Sequence, residues 1–174
     1  LYSEATHEQQ RILESTYRIQ PFFIQTIKLE RIFADKILAA EFYYQRRMLF
    51  DTAKHLYDLT IMMEQERIHS LLLSPNELTA MLAYKRKEER ERIGSDLSEK
   101  PFSEFTLFDA IGVDSELTAA FLKMQEIYVF SQRDVLSTAQ LSESITALNQ
   151  TLLQLDEGLE RTQTAGGDTQ QKML

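Results

Sequence analysis

Lys36 and Asp58 are the residues of this chain whose type and setting most invite chemistry. Both lie in the run LERIFADKILAAEFYYQRRMLFDTAKHLYDL from Leu29 to Leu59. At helical period Leu29, Ile32, Phe33, Ile37 and Ala40 form one stripe, and Lys36 sits against it, three residues after Phe33 and four before Ala40. Asp58 follows Tyr57 and precedes Leu59, Ile61 and Met62. A charge held beside apolar surface acts through a low dielectric, which suits it to gripping phosphate or moving a proton. Read by themselves, the same two residues also describe a snorkelling lysine paired with a nearby acid.

Other candidates surround them. Arg31 and Asp35 are one turn apart, and form either a site pair or an ordinary exposed i,i+4 pair. His55 stands one turn before Asp58 and could accept a hydrogen bond or help place an acceptor. The basic run Lys85-Arg86-Lys87 continues into Arg90 and Arg92, with acids interleaved. Lys85 with Glu89, Lys87 with Glu91 and Glu88 with Arg92 have the spacing of a solvated helix face. Arg86 and Arg90 are like charges one turn apart, which makes them candidates for nucleotide or RNA phosphate.

Helices must carry these residues. The first motif helix is expected from about Ile27 to Tyr44, followed by a connection from Arg46 to Asp51 and a second motif helix from Thr52 into Arg67. Thr6 to Gln9 reads as a capping box opening a helix to about Tyr17, and Pro21 to Ile24 as a short extended stretch. Ser74, Pro75 and Glu77 open a helix that Gly94 can close. A short helix is expected over Pro101 to Ile111, Asp114 caps the next, and Ile127 to Phe130 is prone to form a short strand. Ser137 to Gln140 is a further capping box, leading into a seam of Leu141, Ile145, Leu148, Leu152, Leu155 and Leu159. The expected division is a helical domain over residues 1–160 and a disordered tail over 161–174, rich in Gln, Thr and Gly.

Composition sets the class. The chain has 174 residues, 43% of them hydrophobic, enough for one domain with a real core. Only 5 Gly and 3 Pro leave little turn chemistry, so the expected fold is all-α or strongly α-rich, a helical bundle with at most one or two short strands. With no Cys there are no disulfides or thiolate metal sites, which fits a reducing, cytoplasmic setting. No apolar run approaches the roughly 20 residues of a membrane helix. The net charge of −8 means that any nucleic-acid contact has to be local.

ERIFADKILAAEFYY followed by AKHLYDL resembles the signature of the AbiEii/AbiGii nucleotidyltransferase toxins. The resemblance rests on Asp35 and Lys36, then Tyr57 and Asp58, with 22 residues from lysine to aspartate, and extends from about Pro21 to Tyr128. It implies the C-terminal part of a polymerase-β-like enzyme that moves a nucleotide from an NTP to an acceptor such as RNA, using Mg²⁺ and restrained by an antitoxin. In that scheme Lys36 contacts phosphate and Asp58 orients Lys36 or the acceptor hydroxyl, with Arg31, Asp35, His55 and Tyr57 in support. The family's metal-binding Gly-Ser … Asp-x-Asp motif is missing from this sequence. Gly94-Ser95 is followed by Asp96 and Asp109, but position 111 is Ile. With Leu1 opening partway into a helix-like run, the chain is expected to be a fragment that carries half of an active site, holds no metal and is inactive alone.

Two rivals come from other classes. Glu4-x-x-His7 and Glu66-x-x-His69 match the step of di-iron bundles, without lone glutamates on apolar stripes to complete the set. A non-catalytic helical module that binds an antitoxin or RNA, or senses a signal, is compatible with the composition and the leucine seam.

Overall fold

A computed structural model describes residues 4–18, 25–94, 96–98 and 100–170, without the side chains of residues 93, 98 and 159–170. Eight α-helices occur among them: α1 His7–Tyr17, α2 Leu29–Gln45, α3 Leu49–Met63, α4 Glu66–Leu72, α5 Pro75–Ile93, α6 Leu107–Ala110, α7 Ser115–Tyr128 and α8 Thr138–Gln170. The expected extended stretch at 21–24 lies outside the described residues. The backbone of α8 runs to Gln170, so the expected tail begins inside that helix, where side chains are not described.

α3 is central. It packs against α2, α7 and α8, while α2 also packs against α4 and α5. The stripe on α2 buries Phe33, Ile37 and Leu38 completely, and α3 supplies Ala53, Leu56 and Leu59. Each large side chain so buried contributes about 1.5–3 kcal/mol of transfer free energy. The seam of α8 joins the same core through Leu141, Ile145, Leu148, Leu152 and Leu155.

The sharp turn between α2 and α3 fixes the angle at which the two motif helices meet. The Arg47 N–H donates to the Tyr44 carbonyl at 2.9 Å and the Met48 N–H to the Tyr43 carbonyl at 3.0 Å, a Schellman closure. That closure puts Arg47 in the left-handed region at φ 57, where a side chain costs about 1–2 kcal/mol. Arg47 is anchored there by Asp114, at 2.8 Å, and by Glu116, both from the start of α7.

Three expected elements differ. The second motif helix starts at Leu49 rather than Thr52 and stops at Met63, with extended Gln65 opening α4. This break lets Ile68 and Leu71 bury and sets Arg67 against Glu30 of α2 at 2.9 Å. The helix expected in Pro101 to Ile111 is split into a 3₁₀ turn, Phe102–Glu104, and α6. Buried Glu41 of α2 is the cause: it accepts from the Thr106 N–H at 2.9 Å, the Leu107 N–H at 2.8 Å and the Thr106 hydroxyl at 3.1 Å.

The strand expected at Ile127 to Phe130 is absent, and no strand occurs among the described residues. α7 continues through Tyr128, and buried Gln125 holds the returning chain. Its side-chain amide donates to the Leu136 carbonyl at 3.0 Å, and its oxygen accepts the Leu136 N–H at 2.7 Å. β-propensity counts only where a neighbouring strand can pair, and none is present here.

Candidate functional site

The helical hairpin carries Lys36 and Asp58 to one another. Lys36 Nζ donates to Asp58 Oδ2 across the α2–α3 interface, joining residues 22 apart in sequence. The lysine side chain is 20% exposed and the aspartate 42%, so the pair sits at the rim of the core with the acid facing outward. Both site readings of the sequence place these two residues together, and the geometry does so.

A second cluster lies next to it. Asp35, the neighbour of Lys36, accepts from Lys85 Nζ at 2.6 Å; Lys85 also reaches Glu88 at 2.8 Å, and Glu88 accepts from Arg31 at 2.8 Å. Arg31 also lies 5.2 Å from the centre of the Tyr84 ring. The chain Arg31, Glu88, Lys85 and Asp35 therefore ties α2 to α5. It replaces the expected Lys85–Glu89 pair, because Lys85 is buried and reaches Asp35 of α2, while the expected Lys87–Glu91 pair forms at 3.9 Å. Burial acts to lower the Lys85 pKa, but the hydrogen bonds it donates to Asp35 and Glu88 outweigh it and raise the value. Beside it, burial pushes the Glu89 carboxyl above the usual carboxylate range.

His55 stacks on Tyr43, with ring centroids 5.3 Å apart, and its Nδ1 is buried with no hydrogen-bond partner. Burial, reinforced by the Lys36 charge, lowers its pKa from 6.5, so the neutral imidazole is favoured. Tyr57 donates its hydroxyl to the Asp134 carbonyl at 2.9 Å, fastening the segment between α7 and α8 to α3.

Arg86 and Arg90 stand apart from this grouping. The Arg86 guanidinium lies 4.3 Å from the centre of the Phe102 ring, with Nε and Nη2 screened from solvent. A phosphate contact by Arg86 would first have to lift it from that ring. Arg90 is exposed on the last turn of α5.

Beyond Asp58 the surface opens into a cleft of about 590 Å³. Its walls are Tyr57 and Asp58 of α3, Met124 and Tyr128 of α7, and Phe130 and Asp134 of the following segment. Lys54 stands at its edge, 3.1 Å from Asp51 and about 5 Å from the Phe50 and Tyr128 ring centres.

Residues 2–139 match the family model described as "Nucleotidyl transferase AbiEii toxin, Type IV TA system". The chain belongs to the AbiEii family. No curated protein and no solved structure matches this AbiEii chain. The family match takes in α1 to α7 and both halves of the Lys36–Asp58 pair, and it ends as α8 begins.

The Mg²⁺ implied by the family does not fit the acids present. Among the described residues no group of three or more His, Asp or Glu could hold a metal ion. Asp58, Asp35 and Glu88 are each already engaged by a cation. Glu66 and His69 of the di-iron-like step are both exposed on α4, with no completing ligands among the described residues. Among the described residues no helix is long and apolar enough to cross a membrane.

Sequence reasoning missed Glu41, Gln125 and the cross-helix role of Lys85. A signal existed for the first two. Glu41 falls four residues after Ile37 on the buried stripe of α2, and Gln125 four after Phe121 on α7, positions where a polar residue has to find buried partners.

Proposed function

We propose that this chain supplies the lysine–aspartate wall of a nucleotidyltransferase toxin, which transfers a nucleotide from an NTP to an acceptor hydroxyl, RNA being the proposed acceptor. The observation that carries the reading is the Lys36–Asp58 pair, set between the two helices of the family-matched hairpin, with Asp58 on the wall of the cleft. In the reaction the hydroxyl oxygen bonds to the α-phosphorus, the α–β phosphoanhydride breaks, and pyrophosphate leaves. Lys36 brings a cation to the charge that develops on the phosphates, in a partly dry setting where that charge counts for more than in water. Asp58 holds the flexible ammonium in place. Supporting this division of labour, Asp58 reaches Lys36 directly.

The neighbouring chain of Arg31, Glu88, Lys85 and Asp35 positions α2 against α5 and so fixes where Lys36 emerges. Arg90 is a candidate for more distant phosphate contact, and Arg86 would join it only after leaving Phe102. None of these roles passes through a metal; Mg²⁺ binding is proposed for a polymerase-β-like portion outside the described residues. The cognate antitoxin, cytoplasmic placement and a part in phage defence belong to the same proposal.

The test uses labelled nucleotide and the full-length protein. Lys36→Ala and Asp58→Ala are each expected to abolish incorporation while the far-ultraviolet spectrum stays unchanged. Retained incorporation in both variants would refute the assignment. The 174-residue chain alone is expected to incorporate none.

A further inference from the structure

The cleft beside Asp58 has a chemistry that the Lys36–Asp58 pair does not account for. Its volume of about 590 Å³ lies within the range of small-molecule sites, about 300–1,000 Å³. One wall carries Tyr128, 53% exposed, and Phe130, 94% exposed, a large apolar ring left almost wholly in water. Its polar side chains are Lys54, Tyr57, Asp58, Ser131 and Asp134. The Asp134 carboxylate has no ion-pair partner among the described residues, the Tyr57 hydroxyl is spent on the Asp134 carbonyl, and Asp58 accepts from Lys36. The one cation, Lys54, is taken by Asp51 and by the faces of Phe50 and Tyr128.

Such a lining disfavours a polyanion. With Asp58 held by Lys36 and Lys54 by Asp51, Asp134 is the unmatched charge of this lining; it disfavours phosphate and accepts well from hydroxyl donors, and the aromatic side chains offer flat faces. A nucleoside meets both demands, its base stacking on an aromatic ring and its ribose hydroxyls donating to carboxylate. Asp58 belongs both to the cleft wall and to the ion pair, so a nucleotide with its base in the cleft sends its phosphates toward Lys36.

We infer that the cleft between α3, α7 and the segment following α7 is a nucleoside subsite, in which Phe130 and Tyr128 stack the base and Asp134 and Asp58 receive the ribose hydroxyls. This inference rests on the proposed transfer site and adds the part of the substrate that Lys36 does not touch.

Equilibrium dialysis of the 174-residue chain, with labelled ATP and with inorganic tripolyphosphate in parallel, tests it. ATP is expected to bind more tightly than tripolyphosphate. Phe130→Ala is expected to weaken ATP at least about fivefold, the low end of base–aromatic stacking, and to leave tripolyphosphate unchanged. Phe130→Trp should restore ATP affinity, because the indole keeps a stacking face.

Three results would overturn the subsite: equal binding of ATP and tripolyphosphate, ATP binding unmoved by Phe130→Ala, or no ATP binding at millimolar nucleotide. Lys36→Ala separates the two ideas, since it should weaken both ligands. If it weakens neither while Phe130→Ala still weakens ATP, the subsite stands and the phosphate role of Lys36 fails.

Discussion

Asp114 gathers four donors onto one carboxylate. It accepts from the Glu116 and Leu117 N–H groups at 2.9 and 3.0 Å as the N-cap of α7, from Arg47 at 2.8 Å and from the Tyr44 hydroxyl at 3.1 Å. The Arg47 guanidinium, more than any other neighbour, holds its carboxyl down to about 2. Because the folded value is depressed, the stabilisation is complete above the ordinary 3.8 and is lost as pH falls through about 2. Asp114→Ala should therefore cost about 1–2 kcal/mol at neutral pH and flatten the loss of stability between pH 4 and 2. Urea midpoints measured across that range decide it; a variant whose acid slope matches the parent would remove the link. This role was half legible: the spacing marked Asp114 as a cap, but Arg47 lies 67 residues away and no local pattern announces the contact.

Among the elements, the hairpin of α2 and α3 was read from sequence because its apolar stripes are periodic, and the pairing of Lys36 with Asp58 followed from the family motif. The breaks were not legible. Helix ends near Met63 and Thr106 are set by partners on other helices, Glu30 for Arg67 and Glu41 for the start of α6, which local propensity does not encode. Glu41→Ala would leave the Thr106 and Leu107 N–H groups without their acceptor. Its expected cost is about 1–3 kcal/mol for each polar group left buried and unsatisfied, so the thermal midpoint should drop sharply. A midpoint within one degree of the parent would show that water takes over the carboxylate's work. Arg86 teaches a related lesson. Its spacing from Arg90 marked it as a phosphate candidate, but no local pattern announces the Phe102 ring that it lies over.

For the whole molecule, the family match and the core have different ends. The match stops at residue 139, yet Ile145, Leu148 and Leu152 of α8 are buried to within 1% and close the core around α3. Leu148→Ala is expected to cost about 2–5 kcal/mol, the range for emptying a well-packed leucine site. A chain ended at Ser137 should lose its cooperative thermal transition, and a sharp transition in that truncation would show that α1 to α7 fold without α8.

The ion pairs around the site carry a last consequence. Arg31, Lys36 and Lys85 are matched by Asp35, Asp58 and Glu88, three against three, so this network holds no spare positive charge waiting for phosphate. An ammonium has three N–H donors, and Lys85 already serves two carboxylates, so a triphosphate can join Asp58 on Lys36 without displacing it. Binding then turns a neutral network net negative, with Asp58 still holding the ammonium to which the phosphates are drawn.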